Sequence, residues 1–230
     1  MKIAIMQPYL FPYIGYWQLI NAVDKFVIFD DVNYIHKGFI NRNKILAGGK
    51  PHQFTLNLIG ASQNKLINKI QIEKNYSKIL KTIEFNYKKS AQFNNFFPLL
   101  KSIFDQKETN LAKFIGNSLK KISEYIEIKT DFVFSSEIKK NNEFKNQDKI
   151  IDICQKLKTT HYINAINGKK LYDKMLFKKN NIKLNFIQTK SFEYQQFNND
   201  FVPYLSIIDV LMFNDLDNIK SLLNLYELIE

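Results

Sequence analysis

The 230-residue chain has one cysteine, Cys154, and one arginine, Arg42. A lone cysteine excludes an intrachain disulfide framework and any zinc site built from several thiolates. His36, His52 and His161 show no metal-ligand spacing, so no metal site is expected. No run approaches the ~20 apolar residues needed to cross a bilayer. The apolar start in MKIAIMQPYL is too short for a secretory leader and is interrupted by Gln7 and Pro8. The expectation is a soluble, cytoplasmic protein without stable membrane insertion. Cofactor motifs are also lacking, including any Gly-rich loop for coenzyme A, and no cofactor is expected. The net charge of +11 comes from scattered lysines, without zinc-finger spacing or an aromatic-Gly RNA motif. Nucleic acid is therefore not the expected partner. The basic excess reads as a solvated surface, or as an attraction for phosphates or an acidic protein.

What is present supports a folded core. Hydrophobic residues make up 45% of the chain, with 20 Phe and 12 Tyr, and this length buries a substantial interior. Lys2 to Met6 reads as a buried first strand, QPYLFPYIGY as a loop and WQLINAVDK as a short helix. KFVIFDDV is a continuous apolar run ending in two carboxylates, as in a buried parallel strand. Together these form a βαβ unit. Residues 33 to 53 read as a polar loop region, followed by a strand FTLNLI with INKIQIE as its partner. Helical spacing marks Tyr76 to Tyr87 and about Leu111 to Ile126. FVFSSEI reads as a strand and KKNNEFKNQ as a polar linker, with Asn146 a candidate cap for the next helix. HYINAI, GKKLYDKMLFKKN and IKLNFIQ predict a second strand–helix–strand unit, and the chain from Leu205 onward reads as helical. The fold class is α/β, a Rossmann-like, mostly parallel sheet. The chain reads as one unit over 1–230 with a helical insert at about 75–128.

Ligands of open parallel sheets bind beyond the carboxyl ends of the strands. Gln7, Pro8 and Tyr16 flank the first such loop, either shaping a pocket or packing a stiff aromatic loop on the core. Its outline is similar to the His-x-Gly-His loop of nucleotidyltransferases, but neither histidine is present. Asp30 and Asp31 end the second strand. One can act as a general base or accept from a sugar hydroxyl or amine; the alternatives are a helix cap or a salt bridge to Lys37. Arg42 stands out because 32 of the 33 basic residues are Lys. A guanidinium offers a planar fork for two oxygens of a phosphate or carboxylate, and Asn41 and Asn43 flank it with amides. The structural alternative is a bridge from Arg42 to Asp30 or Asp31. Asn167 and Gly168, in NAING, form either an anion-presenting turn at a helix start or an ordinary connection. Ser206 and Asp209 read as ligand contacts or as a capping box. Cys154 lies on an apolar helix face and reads as core.

Taken together, QPYLFPYIGY, DDVNY, NRN, FTLNLIGASQNKLINKIQI, SSEI, THYINAINGKKLYD and FEYQQFNNDFVPYLSIIDVLMFN resemble the WbqC-like family over almost the whole chain. His36, Phe39, Asn57 and Ala165 depart from the residues usual in that family. The resemblance implies a role associated with bacterial O-antigen and surface-polysaccharide synthesis. The expected function is a transferase that moves an acyl or aminoacyl group to the amine of a nucleotide-linked amino sugar. The acyl donor would be a coenzyme A thioester or a thioester on an acidic carrier protein; the basic excess suits either, and the lack of a Gly-rich coenzyme A loop favours the carrier protein. Asp30 or Asp31 would serve as base and Lys37 with Arg42 would hold phosphate or carboxylate. Gln7, Pro8, Tyr16, Tyr34, Asn41, Asn43, Asn167, Gly168, Ser206 and Asp209 would complete the substrate site. Nucleotidyl transfer and non-catalytic nucleotide-sugar binding, as a scaffold for glycan assembly, are the alternatives.

Overall fold

The computed structural model describes residues 1–198 and 200–230. In chain order the elements are β1 (Lys2–Met6), α1 (Ile14–Asn21), β2 (Lys25–Ile28), β3 (Arg42–Ala47) and β4 (Lys50–Thr55). Then come β5 (Leu58–Ile59), β6 (Gln71–Ile72), α2 (Ser77–Tyr87), α3 (Phe93–Phe104) and α4 (Leu111–Tyr125). The remainder are β7 (Asp131–Phe134), α5 (Asn146–Lys156), β8 (His161–Ala165), α6 (Lys174–Lys179), β9 (Lys183–Thr189), α7 (Ile207–Phe213), α8 (Leu216–Leu223) and β10 (Tyr226–Ile229).

Six strands form one sheet in the order β10-β9-β8-β1-β2-β7. All neighbours are parallel except β10, which runs antiparallel to β9. The fold is therefore the expected mixed α/β, Rossmann-like architecture. Period-two alternation explains why the strands read as continuous apolar runs. Ala4, Phe26, Ile28, Phe134, Ile163 and Ile187 face a large core shared with α1, α3, α4 and α7. Ile3, Ile5, Val27, Tyr162, Leu184 and Phe186 face the opposite layer, made by α5 and α6. β1 is central, and the order reverses around it: β2 and β7 extend one way, β8 and β9 the other.

Close packing is most restrictive where α4 crosses the sheet. A Cβ at Gly116 would lie 2.5 Å from the Phe134 ring and 3.1 Å from Ile28 Cδ1. Glycine costs helix stability there, about 1 kcal/mol relative to Ala, but permits the approach.

Several expectations are corrected. The region 33–53 is not loop throughout, because β3 and β4 pair from Arg42↔Thr55 to Ala47↔Lys50. Gly48 and Gly49, at φ 57° and 73°, supply the left-handed turn that joins them, as a two-residue hairpin requires. FTLNLI is divided between β4 and β5, and β5 pairs with β6 in the INKIQIE stretch. The helical block contains three helices, the additional one being α3, which carries Pro98 inside it. The stretch 168–180 is a 3-10 turn, Ile166–Leu171, followed by the short α6. Asn146 is the first helical residue of α5 and makes no cap hydrogen bond; Lys145 occupies the cap position. The end of the chain is not wholly helical, because β10 adds an edge strand. Among the described residues no helix is long and apolar enough to cross a membrane.

Candidate functional site

The second strand delivers Asp30 and Asp31 to the carboxyl edge of the sheet, where they point to different partners. Asp30 is buried. Its Oδ1 accepts from the Ser136 backbone N–H at 2.9 Å, and its Oδ2 accepts from Ser136 Oγ at 2.6 Å and Asn68 Nδ2 at 3.2 Å. It therefore latches the end of β2 to the turn after β7 and to the loop before β6. The loop 30–34 is pinned further by backbone bonds from Ile67 to Val32 and from Tyr34 to Lys65.

Asp31 receives two ammonium groups, Lys140 Nζ at 2.8 Å and Lys149 Nζ at 3.2 Å. The Lys140 side chain is 1% exposed, those of Asp31 and Lys149 12% each. Lys140 also donates to the Ser135 carbonyl. Lys149 donates to the Asp31 carbonyl at 3.0 Å and sits 5.2 Å from the centroid of the Phe29 ring. Burial alone would raise the Asp31 carboxyl, but Lys140, the neighbouring Ser135 hydroxyl and Lys149 outweigh it and hold it below its ordinary value. Asp31 Oδ1 and Ser135 Oγ are both buried, and although the hydroxyl is near enough to favour the carboxylate, neither atom makes a hydrogen bond of ordinary geometry among the described residues. Buried polar atoms of this kind are uncommon and call for a physical explanation. The cluster lines a crevice of about 580 Å³ formed by Asp31, Leu66, residues 136–140, Asn142 and Lys149. Two ammoniums against one carboxylate leave one positive charge uncompensated. An arrangement of this kind can hold a phosphate or carboxylate.

A second group lies around the loop 34–42. Tyr34 donates to Asn41 Oδ1 at 2.8 Å, and Asn41 Nδ2 donates to the Leu56 carbonyl at 2.8 Å. Arg42 Nε donates to the Gly38 carbonyl at 3.1 Å. Its terminal nitrogens make no hydrogen bond or ion pair among the described residues. Burial raises the Tyr34 phenol and the Arg42 charge opposes that rise, as expected of close neighbours. Lys37 lies on the exposed tip of this loop, with φ at 62°. The bridges considered from Arg42 to Asp30 or Asp31, and from these carboxylates to Lys37, are not formed; Lys140 and Lys149 occupy Asp31 instead.

The remaining sequence candidates are held by the framework. Tyr16 is buried, donates to the Gln7 carbonyl at 2.8 Å and packs 5.3 Å from the Phe26 ring. Burial lifts its phenol well above the ordinary range. Pro8 is buried in the same loop. Asn43 Nδ2 donates to the Leu10 and Phe11 carbonyls at 3.0 and 2.9 Å. Ser206 Oγ donates to the Phe11 carbonyl at 2.8 Å and accepts from the Ile208 N–H at 3.2 Å, which makes it the cap of α7. Asn43 and Ser206 thus hold the aromatic loop from two sides. Asp209 is buried and accepts from Tyr87, Tyr194 and Gln196, each at 2.6 Å. Burial raises its carboxyl above the ordinary value despite those donors. Asn167 is exposed. Gly168 lies in the 3-10 turn, where a Cβ would approach Asn164 Nδ2 to 3.1 Å. Cys154 is buried, and burial pushes its thiol up to about 12, as suits a core residue. No group of three or more His, Cys, Asp or Glu among the described residues could hold a metal ion.

The structure thus brings Asp30 and Asp31 to one place and Tyr34, Asn41 and Arg42 to another. The aromatic loop adjoins the second group, since Leu10 N–H bonds to the Phe39 carbonyl at 3.0 Å. Lys140 and Lys149 were missed in the sequence. Nothing distinguishes them among 32 lysines except position: of the expected strand FVFSSEI only the start is strand, β7 ending at Phe134 and Ser135–Glu137 forming a 3-10 turn, and Lys140 follows that turn at the next carboxyl end.

The WbqC-like protein family matches residues 7–221, and the chain belongs to that family. It is also 27% identical over 218 residues, 93% of each chain, to Rv1507c of Mycobacterium tuberculosis (strain ATCC 25618 / H37Rv), described only as an uncharacterized protein. No solved structure matches the chain.

Proposed function

We propose that the crevice at Asp31 binds the phosphates of a nucleotide-linked amino sugar, and that the protein is a transferase that acylates or aminoacylates the sugar amine for a surface polysaccharide. The observation that carries this reading is the pair of converging lysines, Lys140 and Lys149, on one carboxylate in an open crevice. The carboxyl edge of a parallel sheet is where such ligands bind. Family membership supports the polysaccharide role.

The chemistry follows from competition for the lysines. A bound phosphate draws the ammonium groups from Asp31, and its carboxyl returns toward an ordinary pKa. Asp31 then takes the proton of the sugar ammonium. The freed amine nitrogen attacks the thioester carbonyl, forming the C–N bond; the C–S bond breaks, and the surplus proton of the nitrogen passes to the departing sulfur, which leaves as a thiol. The donor is a thioester on coenzyme A or on an acidic carrier protein. The outer face of α2 supports the latter, because Lys78 and Lys81 flank Phe85, which is 74% exposed. Arg42, with its terminal nitrogens unspent, suits a second anionic group.

A second reading, nucleotide-sugar binding without turnover, is favoured by one observation: both carboxylates are already engaged by donors in the resting structure. The experiment titrates the protein with nucleoside diphosphate amino sugars, then adds acyl or aminoacyl donors and follows amide formation by mass. Binding that is weakened by Lys149→Met, together with an amide product, supports the transferase. Binding without amide for any donor supports the second reading. Binding unaffected by Lys149→Met refutes the assigned crevice.

A further inference from the structure

A different part of the carboxyl edge exposes large apolar side chains among lysines. Leu171 and Met175 are each 70% exposed and Phe144 is 43% exposed. Leu171 ends the 3-10 turn that follows β8, and Met175 stands four residues later in α6. Between and beyond them, Tyr172 and Phe177 pack inward against the core, so the outward direction of Leu171 and Met175 is set by their anchored neighbours. Gln147 Oε1 accepts from the Asp173 N–H at 2.9 Å. That bond seats the start of α6 against the first turn of α5, three residues past Phe144. The three apolar side chains therefore belong to one adjoining region.

The charge around them is strongly one-sided. Residues 143–149 and 169–179 contain seven lysines and three carboxylates. One carboxylate, Asp173, is occupied as the cap of Met175 N–H at 2.8 Å. Lys174 is paired with Glu230 at 2.9 Å. Lys145, Lys170, Lys178 and Lys179 make no ion pair among the described residues. Exposed Leu, Met and Phe side chains set among free lysines complement an anionic lipid surface, which takes up apolar side chains and attracts basic ones. A protein hot spot instead requires apolar anchors seated in a shaped pocket. Here they stand singly, separated by cationic residues, and a bilayer demands no matching shape.

We propose that this edge, formed by the start of α5 and the segment from the 3-10 turn through α6, docks the protein peripherally on an anionic lipid bilayer. Docking sets Leu171, Met175 and Phe144 at the headgroup boundary and leaves the sheet in water. α5 also carries Lys149, so the crevice would open beside the lipid surface. The proposal does not depend on the transferase reading, and its test contains no substrate.

The test is sedimentation of the full chain with vesicles of phosphatidylcholine alone and of phosphatidylcholine mixed with phosphatidylglycerol. The expected result is co-sedimentation with the mixed vesicles, weakened by added salt, and none with the neutral ones. Each free lysine near the surface contributes about fivefold to partitioning, so Lys170→Gln with Lys179→Gln should weaken it about 25-fold. Leu171→Glu with Met175→Glu should abolish it. Both pairs are exposed substitutions, and their thermal unfolding should match the parent. Folded variants that sediment like the parent overturn the proposal. A parent protein that stays in the supernatant also overturns it, and leaves the patch to an acidic protein.

Discussion

Asp31→Asn separates the charge role of the crevice from its shape. The substitution preserves the outline of the side chain and removes the one negative charge that faces Lys140 and Lys149. Removing one partner from a buried ion pair costs about 3–5 kcal/mol. Each lysine keeps one carbonyl, Ser135 for Lys140 and Asp31 for Lys149, so the expected cost is smaller, about 2–3 kcal/mol. For a chain of this size each kcal/mol moves Tm by about 2–4 °C, which predicts a loss of about 4–12 °C. Calorimetry in the presence of inorganic pyrophosphate supplies the second readout. The anion should stabilise Asp31→Asn more than the parent, because it replaces the lost counter-charge without displacing a carboxylate. The gap should also depend on pH. The folded Asp31 carboxyl lies below its ordinary value, so its contribution is full above the unfolded pKa, ~3.9, and fades as pH falls through the folded value. Parent and variant should therefore converge in stability in acid. A variant that melts like the parent at neutral pH, or is indifferent to pyrophosphate, refutes the electrostatic reading of the crevice.

Arg42→Lys should leave folding nearly unchanged, because only the Nε bond to Gly38 is lost, but should weaken nucleotide-sugar binding by about 1–3 kcal/mol; equal calorimetric affinities would contradict the role given to the fork. Gly116→Ala places a methyl against Phe134 and should lower stability by about 1–3 kcal/mol in chemical denaturation, with partial recovery on adding Phe134→Leu. Cys154→Ser should retain activity in proportion to folded protein, and the native thiol should resist aromatic disulfide reagents until the chain unfolds, since burial holds it protonated.

Much of the sheet was legible because its strands are buried on both faces. KFVIFDD holds the unbroken apolar run FVIF, HYINAI and IKLNFIQ are apolar apart from a few polar positions such as Asn164 and Asn185, and α4 shows its stripe at the spacing of a helix. The hairpin β3–β4 was hidden by its own exposure: most of β4 faces solvent, so RNKILAGGKPHQFT reads as polar chain despite the Gly48-Gly49 turn. β10 is four residues with two exposed, and its pairing with β9 carries no local signature. In the site, the Asp30-Asp31 pair was visible because two acids at the end of an apolar run are conspicuous. Their division of labour was not, because it depends on partners far along the chain, Ser136 at a separation of 106 residues and Lys149 at 118. The residues around the aromatic loop illustrate the converse. Asn43 and Ser206 look like ligand groups in sequence, yet each satisfies backbone carbonyls that a Pro-containing loop cannot pair in a ladder.

The three donors on Asp209 have a consequence for synthesis. Tyr87 is separated from this carboxylate by 122 residues, and its hydroxyl also accepts from the Leu46 N–H at 2.7 Å. While the chain is still on the ribosome, α2 and β3 can approach each other, but the phenol between them lacks its acceptor until residue 209 has emerged. The central strand waits similarly, since β1 acquires its second neighbour only with residue 161. Contacts of such long range slow folding and prolong the exposure of apolar surface. Nascent chains arrested before residue 209 should therefore be more sensitive to protease than full-length chains, with cleavage concentrated around α2.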